Sequence, residues 1–266
     1  MQWLVAVAMG LWGIWAWSLD RERERAVDRA RLTALYVNPF LSACEDLQSR
    51  IYHIVELGGL PTLRARYPDG EYAGEVLYLI ARYFGWAAAI GRYSPYSQDA
   101  VVIRLVEAVR DAFAATGPDF PVGSFNFFHP EQKALGKIVM HRMEGQHGVE
   151  LDTIASYEFT ALLAAPPLSD SRSVQQTLEA LRTAEDALTL PGRKRLETAQ
   201  RHLVDLLHYL EQREGYSLFA GERKKCTSIR AALPRIAGQP PTAANGHRQR
   251  TRSASGARTT RRRRRA

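Results

Sequence analysis

The chain is poor in cysteine: it has two in 266 residues, Cys44 inside an apolar helical pattern and Cys226 in a basic polar stretch. Two such positions exclude a disulfide framework and a paired-cysteine metal site, and they suit a reducing compartment. Catalytic signatures are missing as well. There is no G-x-x-x-x-G-K-[ST], no G-x-G-x-x-G after a strand, no H-E-x-x-H and no G-x-S-x-G. Nucleotide, dinucleotide, zinc-protease and hydrolase chemistries therefore lack the residues they require. No catalytic residue and no cofactor is assigned. No internal repeat of roughly 20 to 50 residues is present either, which excludes a solenoid.

Charge is scarce at one end and one-sided at the other. Residues 239–266 contain nine arginines and no acid, so subtracting nine from the net charge of +8 leaves −1 for residues 1–238. Basicity belongs to the tail. The opposite end, MQWLVAVAMGLWGIWAWSL, has no charged side chain at all. As a helix, Gln2 to Leu19 would reach roughly 27 Å, close to the ~30 Å hydrocarbon core of a bilayer. A secretory signal would carry a basic start and a small-residue cleavage site, whereas Trp15, Ala16, Trp17 and Ser18 stand where that site belongs. Four of the five tryptophans, Trp3, Trp12, Trp15 and Trp17, fall in this segment, and indoles favour the lipid–water interface. Residues 1–19 are thus expected to be an uncleaved transmembrane anchor. Arg21, Arg23 and Arg25 follow at once with no basic side chain before the span, which places the C-terminal side in the cytoplasm.

Past the span, RERERAVDRARL reads as a charged helical stalk over residues 20–37, with opposite charges at helical spacing. Asn38-Pro39 should cap and open a new helix, in which Phe40, Cys44, Leu47, Ile51, Ile54 and Val55 share one stripe and Gly58-Gly59 ends it. The stretch from Glu71 to Tyr93 is apolar on nearly every face, so it should be the central helix, wrapped by others. Ser97 to Thr116 gives another amphipathic helix. The Gly- and Pro-rich segment after it carries Phe120, Phe125, Phe127 and Phe128 and should pack down onto the helices. Further helices are expected from His129, near Asp152 to Ala164, from Ser171 to Leu190, and from Gly192 to Gln212. The last two read as an antiparallel hairpin, with Val174, Leu178, Leu181 and Leu188 facing Leu196, Leu203, Leu206, Leu207 and Leu210.

Two stretches look alike. HRMEGQH sets His141, Glu144 and His147 at three-residue steps, and HLVDLLH does the same with His202, Asp205 and His208. On a helix each triplet would spread over one face and offer a carboxylate between two imidazoles, a donor set that suits a transition metal. Both lie away from the apolar stripes, so the metal would sit at a surface. Residues 222–266 lose all hydrophobic periodicity and should be disordered. The run Arg261, Arg262, Arg263, Arg264 and Arg265 can bind acidic lipid headgroups or nucleic acid.

The stretches NPFLSACEDLQSRIYHIV, YLIARYFGWAAAIGRY and FFHPEQKALGKIVM are similar to those of uncharacterised bacterial proteins with one N-terminal membrane span and a helical cytosolic region. The resemblance covers about residues 1–165 and implies the same architecture, with no activity attached. The expected protein is therefore a single-span inner- or plasma-membrane protein with four parts: an anchor (1–19), a stalk (20–37), a cytosolic all-α multi-helix bundle (38–221) and a disordered basic tail (222–266). Its first expected role is an interaction or scaffold module, with exposed helix grooves or the loop around Phe125 to Phe128 receiving a protein partner. The alternatives are a metal-dependent enzyme using the two triplets, and a tether for nucleic acid or acidic lipid through the tail.

Overall fold

A computed structural model of the chain describes residues 2–145, 148–215 and 223–227, with the side chains of residues 2–11, 13, 14, 16, 145, 148 and 149 outside the description. The chain divides into residues 1–228 and 229–266, and every described element belongs to the first unit. The expected disorder of the tail beyond Ser228 lies outside the described residues.

The first helix, α1 (Gln2–Leu32), runs through a π-helical turn (Thr33–Val37) into α2 (Asn38–Val55) without a break. Asn38 was expected to cap a new helix, yet its backbone is helical (φ −62°, ψ −47°) and its N–H donates to the carbonyl of Thr33, five residues back. Pro39 accounts for this. Its ring crowds the carbonyl four residues earlier and it has no N–H to donate, so the ladder widens by one residue instead of ending. Tyr36, in the widened turn, stacks on Tyr93 with ring centroids 5.4 Å apart. On α2 the stripe Phe40, Cys44, Leu47, Ile51, Ile54 and Val55 is buried, as its spacing requires.

Gly58 turns the chain with φ 64° into a short helix, α3 (Gly59–Arg66), where only a loop was expected. Pro61 falls in its first turn, where a missing N–H costs nothing. Next comes α4 (Glu71–Tyr93), followed by α5 (Ala100–Ala114), α6 (His129–Val139), a two-stranded hairpin of β1 (Met140–Gly145) and β2 (Gly148–Thr153), then α7 (Ser156–Leu162), α8 (Arg172–Thr183) and α9 (Arg193–Glu214). Helix α4 is the centre of the domain: α2 and α6 flank it, α7 and α8 close over it, and Val76, Leu77, Ile80, Tyr83, Phe84 and Trp86 are buried in it. Contact with α6 is backbone to backbone. A Cβ placed on Gly136 would come within 2.8 Å of the Gly85 nitrogen and 2.9 Å of the Phe84 carbonyl carbon.

Helix α9 lies along α5 and α2. Asp99 caps α5, its carboxylate accepting from the N–H groups of Val101 and Val102 at 2.9 and 3.2 Å and from the Tyr209 hydroxyl of α9. The aromatic loop packs down through two of its four phenylalanines, while Phe128 is 44% exposed. Phe125 and Phe127 are buried, Phe127 and Asn126 donate to the Phe113 carbonyl, and the Phe125 N–H donates to the Thr177 hydroxyl. Phe125 pays for this seat with a left-handed backbone, φ 58°.

Two further expectations are corrected here. Helices α8 and α9 do not form an antiparallel pair: α8 packs on α4 while α9 packs on α5 and α2, and Leu188, assigned to their interface, is 70% exposed. The intervening chain is a turn of its own, with the Asp186 carboxylate accepting from the Leu188 and Thr189 N–H groups. The second correction concerns His141 and Glu144, read as sharing a helical face, which lie instead in a strand of the β1–β2 hairpin. Glycines 145 and 148 face each other as its last pair, and two glycines so placed weaken a helix far more than they weaken a turn. Among the described residues the fold is all-α apart from this hairpin.

Candidate functional site

At the membrane-facing end expected from sequence, Trp12, Trp15 and Trp17 are 68%, 55% and 58% exposed. Trp12 and Trp15 touch, with centroids 5.4 Å apart, and the Arg21 guanidinium lies 4.3 Å from the Trp17 ring. Every residue from Asp20 to Arg31, including Arg23 and Arg25, is exposed. The side chain of Trp3 lies outside the described residues. Among the described residues, no helix is long and apolar enough to cross a membrane. Most of the segment expected to span has its side chains outside that description.

The two histidine triplets fare differently. In β1 side chains alternate, so His141 and Glu144 point to opposite faces of the hairpin; His141 sits across from Asp152, and Glu144 across from Val149. A helical face shared by His141, Glu144 and His147 is thus replaced by a strand, and His147 lies outside the described residues. The second triplet is on a helix, as expected, but it is not gathered. The Asp205 carboxylate accepts from the Lys225 ammonium, His208 is exposed, and His202 is half-buried. Burial holds the His202 imidazole below its ordinary range, against the opposing pull of Asp205.

Among the described residues, one group of metal-type donors does converge: Glu107 and Asp111 of α5 with His129 at the start of α6, all ligand atoms within 4.8 Å. His129 Nε2 is 3.2 Å from the Asp111 carboxylate, and Glu107 is already paired with Arg110 at 2.5 Å. Arg110 in turn donates to Gln132, whose amide donates to the carbonyls of Arg110 and Phe127. Two oxygens and an imidazole suit a divalent cation chemically. The group is solvent-facing and half neutralised by Arg110, so its geometry assigns no metal.

The most heavily bonded polar site was not foreseen. Residues Arg223 to Thr227, placed by sequence at the start of the disordered tail, lie against α2 and α9. The Arg223 guanidinium makes three charge-assisted bonds, to Glu45 at 2.5 Å and to both oxygens of Glu211 at 2.5 and 2.7 Å, with its side chain 2% exposed. The buried Gln200 amide reads the backbone in both directions: it donates to the Lys224 carbonyl at 2.9 Å and accepts from the Cys226 N–H at 2.8 Å. Arg201 donates to the Cys226 carbonyl, and the Thr227 N–H donates to Glu56. Lys225 pairs with Asp205, and the Cys226 side chain enters the core, where burial, aided by Glu56 and Glu197, pushes its thiol up to about 12. Buried so, Cys226 serves as a packed side chain.

Sequence reasoning lost this site because it searched for apolar periodicity, and the segment holds one apolar side chain. The available signal was charge: Glu45, Glu56, Asp205 and Glu211 on two helices, and Arg-Lys-Lys just beyond them. The arginines 261–265 lie outside the described residues. No family model matches the chain, and neither a curated protein nor a solved structure matches it.

Proposed function

We propose that this chain is a membrane-anchored, non-catalytic interaction module, held at the cytoplasmic face of a bacterial inner or plasma membrane by residues 1–19. The observation that carries the reading is the state of α1. Three tryptophans are more than half exposed on a helix whose following turns are exposed all round, although each indole would gain from leaving water. A bilayer interface meets that need, and the arginines at 21, 23 and 25 set the cytoplasmic side. The folded helices then serve as the working part.

The loop around Phe125 to Phe128, expected to receive a partner, is ill suited to it because Phe125 and Phe127 are used by the core. A cleft of about 530 Å³ beside the exposed Val122, lined by Pro121, Ala180 and Pro191, is better suited. Confinement to a surface raises the encounter rate with any partner held there. The arginine run at 261–265 would add contact to acidic lipid or nucleic acid, visible as binding that falls steeply with salt.

The test is fractionation of cells that express the full chain or a version lacking residues 1–19. The full chain should resist alkaline extraction from membranes, with its C-terminus protected from external protease, and the shortened chain should be released. Release of both, or a C-terminus open to external protease, would defeat the reading.

A further inference from the structure

We propose that the α2–α9 face is a peptide-recognition groove for extended segments of the pattern Arg-x-x-Cys, closed in this chain by its own residues 223–227, which act as a displaceable latch. The inference is independent of the membrane reading and stands on the geometry of the groove.

The contacts have the logic of peptide reading. An extended strand is recognised through its backbone for affinity and through alternate side chains for specificity. Here Gln200 takes the carbonyl of one residue and the N–H of the residue two further on, a spacing that an extended segment offers on one edge. Arg201 and Glu56 continue the backbone reading. Specificity comes from the ends: a pocket with Glu45 and Glu211 for a guanidinium, and a core opening that admits the Cys226 side chain. A bidentate pair to Glu211 together with a third bond to Glu45 fits arginine and not lysine.

The same contacts make the segment displaceable. A strap integral to the core would be apolar, and removing it would expose apolar surface. This one buries a single apolar side chain, Cys226, and is otherwise held by polar partners, Glu45, Gln200 and Glu211. Without the arginine, however, Glu45 and Glu211 would lose the guanidinium that bridges them. The vacated groove is therefore a receptor for another arginine. The closed state is kept by proximity, because Gly215, where α9 ends, is only seven residues from Glu222 and eight from Arg223 along the chain, and a tether that short gives a high effective concentration. A competing segment must exceed that concentration or meet a weakened latch.

The experiment uses the full-length protein in mild detergent and a reduced, fluorescently labelled peptide of residues 221–229. Arg223→Ala should open the latch, so the peptide should bind this variant at least about tenfold more tightly than the wild type, as read by anisotropy. A peptide with alanine in place of its arginine should not bind. Equal affinity for variant and wild type, or equal binding by the alanine peptide, would overturn the proposal. Because Arg223→Ala could disturb folding, Lys225→Ala, which removes only the half-exposed pair with Asp205, provides a second arm by hydrogen exchange. The Cys226 and Thr227 amides should exchange about two- to fivefold faster in this variant, with α9 unchanged. Exchange of those amides only in step with the α9 core, in wild type and variant alike, would show an integral strap and also overturn the proposal.

Discussion

Helices α1 and α4 carry the same kind of sequence and meet different fates. Both have apolar residues on nearly every face at their apolar ends, and between them they hold all five tryptophans. In α4, Trp86 is buried beneath its neighbours, whereas Trp12, Trp15 and Trp17 of α1 are more than half exposed. An apolar helix in water must find a partner, and α4 finds one in α2, α6, α7 and α8. Around the tryptophans of α1, the contacts among the described residues are local, Trp12 against Trp15 and Arg21 over Trp17. Hydrophobicity alone does not decide whether a helix joins the core; the difference lies in whether the rest of the chain has grooves and small residues left to receive it.

That comparison can be broken by crowding α4. Gly136→Ala places a methyl group against the backbone of Phe84 and Gly85, with no flexible side chain able to yield. It should cost about 3 kcal/mol, near the upper end for overpacking, measured by chemical denaturation. A smaller loss is expected from Tyr72→Phe. The buried Tyr72 hydroxyl donates to the Leu181 carbonyl at 2.6 Å, at the C-terminal end of α8 where no helical donor follows. Removing it should cost about 1 to 2 kcal/mol.

The cap of α5 comes next. Asp99→Ala should cost about 1 kcal/mol near neutral pH, and the loss should depend on pH with a definite sign. Burial pushes the Asp99 carboxyl up, but the N–H groups of Val102 and Val101, the Tyr209 hydroxyl and Arg213 outweigh it and hold the group below its ordinary range. A carboxyl depressed in the folded state stabilises above its unfolded pKa of about 3.9 and loses that contribution as pH falls through its lower folded value. The gap between wild type and variant should therefore close in acid, and a gap that widened there would reverse the assignment. The smallest effect belongs to α1: Trp12→Ala should leave the unfolding midpoint of the domain unchanged within about 0.5 kcal/mol, as expected of an exposed side chain.

How much of this was readable beforehand depends on which force decides each element. The stripe of α2, the central place of α4 and the inward turn of Phe125 and Phe127 follow from apolar spacing, and each is found. Elements decided by backbone chemistry were misread. Pro39 widens the helix instead of ending it, because the stacked Tyr36 and the buried Phe40 hold the chain on both sides. Glycines 145 and 148 close a hairpin in which residues three apart, such as His141 and Glu144, fall on opposite faces. The docking of Arg223 to Thr227 was invisible for a third reason: its contacts are ionic and long-range, and no local pattern announces that Glu45 and Glu211 will meet one arginine. Only the separation of α8 from α9 came from an overvalued signal, since two leucine stripes joined by a tight turn do not require each other when other grooves are nearer.

The measurement that bears most directly on the central claim uses the tryptophans themselves. Trp86→Phe leaves only Trp3, Trp12, Trp15 and Trp17 as emitters, and their fluorescence can be read with the protein reconstituted in vesicles of brominated lipid. If α1 seats its indoles in a bilayer, emission should shift to the blue and be quenched by the bromines. Emission that stays at the wavelength of hydrated indole and ignores the brominated lipid would contradict the account.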